Sequence, residues 1–480
     1  MSRIAGVLGQ EDDELLFKMI NSMVVHGPCI KTTVQGEGFS FGSLENPSPE
    51  NSQKQLSMVI DGYLSPHEEP ADNNIEEQVN PSSVFTNNNS SDLSPEGEFA
   101  VAWKDKKNYL IARDPFGVKP LYYTYKNNRL LVASEIKALA HFNTSIKEFP
   151  PGSCYEYNKG WSNYYSFNSE ENNYMEEDVI KQMLREQLKQ AVREKIEENL
   201  PWGVYLSGGL DSSVIAILAA EISNQPITTI TVGIKGSEDV DRAREVSRII
   251  GSNHHEYIYT EEEILDLLPE VIFHLESFDC AYLRSSIPNF LAAKIAREHN
   301  IKLMLSGEGA DEIFAGYSYL KNITDKNKIN IELHNLIKGL HHTGLQRVDR
   351  MNAAHGLDCR LPFLKPSLVE FVMSLPVEWK LWHKSNGNLE DKWILRSAFE
   401  EDLGSELAWR EKQQFDQGAG SNDMLEKIAE ETISDKEFEK EAAEAPTPVR
   451  NKEELMYYRI FNKYFPLDVI PLVGRWVTTG

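Results

Sequence analysis

The chain has 480 residues, 41% of them hydrophobic, which is enough for two or three domains with substantial cores. A formal charge of −25 excludes a general nucleic-acid or anionic-membrane surface, while a local basic pocket stays compatible with it. The four cysteines, Cys29, Cys154, Cys280 and Cys359, show no CxxC spacing. That argues against a disulfide framework or a cysteine zinc site, and a reducing cytoplasm is the expected compartment.

Met1-Ser-Arg-Ile-Ala-Gly-Val-Leu-Gly9 turns acidic at Glu11-Asp-Asp-Glu14, which fits no signal peptide, and no apolar run is long enough to span a membrane. Ile4-Ala-Gly-Val-Leu8 and Ser57-Met-Val-Ile60 read as strands. From Pro66 to Glu98 there is no Lys or Arg, only acids and runs of Asn and Ser, as in a loose surface loop. Order returns at Gly97-Glu-Phe-Ala-Val-Ala-Trp103. Tyr109 to Tyr123 and Leu130 to Lys137 follow as strand, turn, strand and helix start. The polar stretch 158–173 breaks the periodicity and is the expected boundary, giving domains at 1–160 and 175–480.

Helical spacing of Ile180, Met183, Leu184, Leu188, Ala191 and Val192 predicts a helix from Glu177 to Asn199. Trp202-Gly-Val-Tyr-Leu206 then reads as a buried strand, and Val214 to Glu221 as a helix. Between them lies Ser207-Gly-Gly-Leu-Asp-Ser-Ser213. Strand, glycines with hydroxyls, then helix makes an anion cradle, with backbone N–H groups turned inward and a helix N-terminus behind them. It lacks the lysine of a Walker loop. Pro226 to Ile234, Glu256 to Tyr259 and Ile301 to Leu305 read as further strands and Asp239 to Ile250 as a helix, so a parallel α/β domain is expected. A second glycine loop, Leu305-Ser-Gly-Glu-Gly-Ala-Asp-Glu312, ends the last strand with three acids. Such a cluster is unfavourable unless a cation is nearby, and a solvated turn is the plain alternative.

The Ser207–Ser213 motif resembles the pyrophosphate loop of the ATP pyrophosphatases. Ala112-Arg-Asp-Pro-Phe-Gly-Val-Lys-Pro-Leu-Tyr-Tyr123 with Ala133-Ser-Glu-Ile-Lys137 resembles class II glutamine amidotransferases. Further segments resemble asparagine synthetase in order: Thr231 to Asp239, His254-His-Glu256, the acidic loop, Cys359-Arg-Leu-Pro-Phe-Leu364, Lys392-Trp-Ile-Leu-Arg396, Ala408 to Gly420 and Lys452 to Arg459. β-Lactam synthetases are related. The resemblance implies an N-terminal Ntn-type αββα sandwich followed by a parallel-sheet ATP-pyrophosphatase domain.

It also implies roles. Leu206, Ser207, Gly208, Gly209, Asp211, Ser212, Ser213, Val232, Asp239, Ser306 and Gly307 would bind ATP, with Val232 and Gly307 at adenine and Asp239 near ribose. Asp211 and Asp311 would hold Mg²⁺. Lys412 matches the catalytic lysine and Glu308 the glutamate near the nucleophile. Arg284, Tyr282 and Lys365 would face the substrate, a small carboxylate such as aspartate, which is joined to ammonia or an amine. A homodimer is a candidate assembly; no nucleic acid or membrane partner is expected.

Departures from the family pattern are concentrated in the N-terminal domain. The N-terminal cysteine nucleophile of that glutaminase is Ser2 here. Arg-Gly-Pro-Asp has become His26-Gly-Pro-Cys29, and Asn-Gly-Glu has become Asp61-Gly-Tyr63. Cys29 is internal and lacks an α-amine base. The domain is expected to hydrolyse no glutamine. In the second domain a Thr-Thr-Ile-Arg segment appears as Ala281-Tyr-Leu-Arg284, and the aspartate ending Arg-Val-Pro-Phe-Leu-Asp is Lys365. Three functions follow as expectations: an ammonia-dependent asparagine synthetase, a specialised amide or lactam former, or a catalytically silent homologue.

Overall fold

The computed structural model describes residues 2–9, 12–23, 30–36, 39–45, 58–64, 96–105, 108–167, 176–197, 199–383, 389–410 and 422–475. Most of the acidic 66–98 segment lies outside them, as do His26, Cys29 and Lys412.

The N-terminal domain is two stacked antiparallel sheets. The first contains β1 (Ser2–Leu8), β2 (Ile30–Gly36), β3 (Phe39–Glu45), β7 (Tyr122–Lys126), β8 (Arg129–Ala133) and β9 (Lys147–Glu148), in the order β2-β3-β1-β8-β7-β9. The second runs β11-β10-β6-β5-β4, from β4 (Met58–Leu64), β5 (Gly97–Asp105), β6 (Asn108–Arg113), β10 (Ser153–Glu156) and β11 (Gly160–Asn163). Period-two alternation in β1 sorts its side chains. Ile4 and Leu8 join Phe41, Ala100, Ile111 and Val132 between the sheets, whereas Ala5 and Val7 meet Leu16, Met19 and Ile20. Those three belong to the helix Asp13–Ser22, whose N-terminus is capped by Asp12 accepting from the Leu15 N–H at 3.0 Å. The start of the expected linker is instead strand β11, paired with β10, so the sheet runs a few residues past 160.

The second domain holds β12 (Trp202–Tyr205), β13 (Thr228–Gly233), β14 (Asn253–Ile258), β15 (Leu303–Leu305) and β16 (Asp358–Arg360), in the order β14-β13-β12-β15-β16. Every pairing is parallel. The chain leaves β12 toward β13 but leaves β15 toward β16, so the connections diverge between β12 and β15. That crevice, at the carboxyl ends of the strands, is where ligands bind in open α/β sheets. The helix Leu210–Ile222, directly after β12, buries every residue from Ser212 to Ala219, as a helix inside the core must.

Ion pairs seal the junction of the two domains. Arg3 in β1 reaches Asp349 at 2.9 Å, and Lys119 reaches Asp349 at 3.2 Å and Asp358 at 2.9 Å. Glu276 accepts from the backbone N–H groups of Ile136 and Lys137 at 2.9 and 2.8 Å and pairs with Arg350 at 2.5 Å. Glu98 of β5 pairs with Lys195 at 2.5 Å and accepts from the Leu361 N–H at 2.9 Å. All these charged side chains are buried. Such groups are tolerated away from water only when paired.

Candidate active site

The two glycine loops meet in the crevice. A Cβ on Gly307, after β15, would stand 2.8 Å from the Asp211 carbonyl carbon and the Ser212 nitrogen. Only glycine permits that approach. Gly208 takes φ +74°, and a Cβ there would meet the Ala243 nitrogen at 2.6 Å and the Asp239 carbonyl oxygen at 2.8 Å. The first loop therefore touches the helix Glu238–Ile250 on one side and the acidic loop on the other.

Within the first loop the serines hold one another. Ser207 Oγ and Ser212 Oγ are 3.0 Å apart, the Ser207 N–H donates to Ser212 Oγ at 3.1 Å, and Ser213 Oγ donates to the Gly209 carbonyl at 2.7 Å. No side chain caps the helix that starts at Leu210. Its leading N–H groups and positive dipole end suit a phosphate. Leu206 and Val232 are buried beside this loop, and the Thr231 hydroxyl donates to the Leu206 carbonyl.

The acids of the second loop find their cation in the chain itself. Lys392 Nζ lies 2.6 Å from both carboxylate oxygens of Asp211 and 2.6 Å from Asp311 Oδ1. Burial would lower the pKa of this ammonium, but the two aspartates more than reverse that and raise it. Lys392 belongs to the quoted Lys-Trp-Ile-Leu-Arg stretch, but nothing in its local pattern assigns it a role. The signal was the unbalanced charge of Asp311, which required a positive partner somewhere. Glu312 is fully buried, accepts from the Tyr317 hydroxyl at 2.5 Å, and has its pKa raised to about 7 by burial first, then by Asp311 and Glu308.

Glu308 Oε2 is paired with Arg347 at 2.7 Å, and its Oε1 lies against Gly344. Asp239, at the start of the helix Glu238–Ile250, accepts from Arg410 at 3.0 Å. Arg396 donates to the carbonyls of Ala408 at 2.7 Å and Arg410 at 2.9 Å. The backbone is thus pinned beside the first loop two residues before Lys412, which itself lies outside the described residues.

The three residues expected to face the substrate each have a partner within the chain. Arg284 forms a two-pronged pair with Glu453 on the helix Lys452–Phe461, one prong at 2.9 Å. The Tyr282 hydroxyl donates to the His342 carbonyl at 2.8 Å. Lys365 pairs with Glu194 at 2.6 Å. In the N-terminal domain Asp61 is fully buried, accepting from Arg3 at 3.0 Å and from the Ser134 hydroxyl at 2.9 Å. The Tyr63 ring lies under Arg360 at 4.0 Å and Lys195 at 5.3 Å. Ser2 is the first residue of β1.

The asparagine synthase family matches residues 183–333 and 321–466. A Dictyostelium discoideum relative, described as a probable glutamine-hydrolyzing asparagine synthetase, is 31% identical over 479 residues, covering 89% of this chain and 85% of its own. The chain belongs to the asparagine synthase family. The glutamine amidotransferase domain family matches residues 92–141 of the N-terminal domain. Glutamine-hydrolyzing asparagine synthetase B of Escherichia coli K12, another similar protein, is 35% identical over 404 residues, covering 78% of this chain and 71% of its own. Among solved structures, a glutamine phosphoribosylpyrophosphate amidotransferase from B. subtilis matches 53% of this chain at 14% identity with a TM-score of 0.27. That likeness is too faint to bear on the fold. Family membership makes the chain an asparagine-synthetase-like ligase with an amidotransferase domain. No described helix is long and apolar enough to cross a membrane.

Proposed function

We propose that this chain adenylates the side-chain carboxylate of aspartate with ATP, releases pyrophosphate, and transfers the acyl group to free ammonia, without hydrolysing glutamine. The observation that carries this reading is the closure of the two loops around Lys392 by Asp211 and Asp311. Two carboxylates beside an uncapped helix N-terminus suit a hard divalent cation and a polyphosphate together. Mg²⁺ bound by Asp211 and Asp311 would offset the charge of the departing pyrophosphate.

The chain's own groups divide the work. Ser207, Gly208, Gly209, Ser212 and Ser213 hold the phosphates. Leu206, Val232, Ser306 and Gly307 enclose adenine, and Asp239 meets the ribose. Lys392 holds Asp211 and Asp311 together when no cation is present. Lys412, delivered by the Arg410–Asp239 anchor, stabilises negative charge as it develops at the α-phosphate. Glu308, oriented by Arg347, stands beside the incoming nitrogen. Because the Lys365 ammonium is satisfied by Glu194, its reversed charge need not repel the aspartate α-ammonium. Loss of glutaminase chemistry is supported by Asp61, whose carboxylate is bound to Arg3 and Ser134 where the family has an amide.

A second reading, a specialised amide or lactam former acting on another carboxylate, draws support from Arg284, whose guanidinium is already bound by Glu453. Pyrophosphate release from Mg-ATP and aspartate, with ammonium and glutamine in separate reactions, separates the readings. Asparagine and pyrophosphate with ammonium alone are expected. Turnover with glutamine would overturn the loss of the glutaminase, and no release with aspartate would favour the second reading.

A further inference from the structure

We propose that Glu148, His341 and His342 form a zinc-class divalent metal site that clamps the N-terminal domain to the synthetase domain. Glu148 lies on β9, and the two histidines are on the 3₁₀ turn Leu340–His342 of the other domain. Glu148 Oε1 is 2.7 Å from His341 Nδ1, and Oε2 is 3.0 Å from His342 Nδ1. One ligand atom from each residue falls within 4.8 Å of the others. Bonds of about 2 Å from a single ion to two imidazole nitrogens and a carboxylate oxygen therefore need only small side-chain shifts.

The surroundings are built for such a site. Arg113 donates to Glu148 Oε1 at 2.7 Å and to the Phe149 carbonyl at 2.7 Å. It thus orients the carboxylate as outer partners orient metal ligands. His341 is held against Gly117, where a Cβ would come within 2.9 Å of the histidine Cβ. The Nδ1 atoms of both rings face the Glu148 carboxylate, so the three donor atoms already converge on one point. Ligation through Nδ1 replaces the proton that each ring donates to Glu148, so that proton must pass to Nε2 or to solvent as the ion enters. His342 keeps half its side chain exposed, which opens a path for the ion and for a water as fourth ligand. Two imidazoles with one carboxylate suit zinc rather than Mg²⁺, which prefers oxygen ligands.

The site also touches the synthetase chemistry. The His342 carbonyl accepts from Tyr282, and two residues on, Gly344 abuts Glu308 Oε1. A bound ion would fix the turn from which the Arg347 helix starts. The test is titration of chelator-treated full-length protein with Zn²⁺ alone by calorimetry, with Co²⁺ visible absorption as a direct report of ligand geometry. One ion per chain is expected, with a rise in melting temperature. His342→Ala should weaken binding by more than about tenfold, since even outer-shell changes cost that much. Glu148→Gln should do the same. His342→Ala should lower the metal-free melting temperature only slightly, because that side chain is half exposed and loses one contact to Glu148. Absence of Zn²⁺ binding, or equal binding and equal Co²⁺ spectra in His342→Ala, would overturn the site.

Discussion

Lys392 Nζ and Asp311 Oδ1 stand 2.6 Å apart at the base of the crevice, and the same ammonium holds Asp211. A side chain from the far end of the domain thus supplies the positive charge that the glycine loop lacks. Replacing Lys392 with Ala leaves two aspartates facing each other. We expect a loss of about 3 kcal/mol, the range for breaking a buried pair. Added Mg²⁺ should restore more of the melting temperature in the variant than in the parent. Equal Mg²⁺ effects in both would show that the lysine and the metal do not share a position.

Arg410→Ala separates anchoring from stability. Asp239 is buried and would lose this partner, so stability should fall by about 1–3 kcal/mol, a modest share of a domain's total. Misplacing Lys412 should nonetheless lower kcat by about 10- to 100-fold. A kcat equal to that of the parent protein would detach the anchor from catalysis.

Lys412→Ala should abolish product formation, by about a hundredfold or more, while ATP still binds. Nucleotide binding measured beside pyrophosphate release checks both halves. Unchanged turnover would remove Lys412 from the site.

Ser2→Cys should yield no glutaminase. A thiol at the N-terminus does not rebuild a glutamine pocket whose Asp61 is locked to Arg3 and Ser134, with His26 and Tyr63 also changed. Glutamate release by that variant would show the pocket to be intact.

Glu312 gives a pH signature. Its carboxyl binds a proton up to about pH 7 in the fold, against an ordinary value of 4.5, so the folded state holds more protons between those limits. The stabilisation is complete below about pH 4.5 and fades as pH rises through about 7. Glu312→Gln keeps a hydrogen-bonding partner for Tyr317 and removes the titration. The variant should lose less melting temperature than the parent between about pH 5 and 8, by an amount corresponding to about 1–3 kcal/mol. Parallel profiles would reject the assignment.

Much of this was legible in the sequence. Trp202–Leu206 and Ile301–Leu305 announced β12 and β15 through short apolar runs, and Ser207–Ser213 announced the cradle through its glycines. The helix Cys280–Glu298 was not anticipated, because its buried residues fall on all sides and leave no polar period to detect. The hairpin β2–β3 escaped because Thr32 and Ser43 stand where the apolar alternation of Ile30 and Val34 and of Phe39 and Phe41 would continue. Partners distant in sequence were illegible on principle. That Arg284 belongs to Glu453, Lys365 to Glu194 and Lys392 to two aspartates depends on the tertiary fold rather than on local pattern.

If glutamine hydrolysis has been lost as proposed, the sealed junction between the domains gives a reason for the N-terminal half to persist. Arg3 and Lys119 neutralise Asp349 and Asp358, and the helix turn at Ile136 and Lys137 receives Glu276. A gene shortened to its second half would encode a protein with these acids stripped of counterions and hydrogen-bond donors. Decay of one catalytic centre is open to gradual mutation, whereas excision of its domain is not. On the proposed reading the junction acts as an evolutionary ratchet: chemistry could be lost residue by residue, while the fold that carried it could not be discarded.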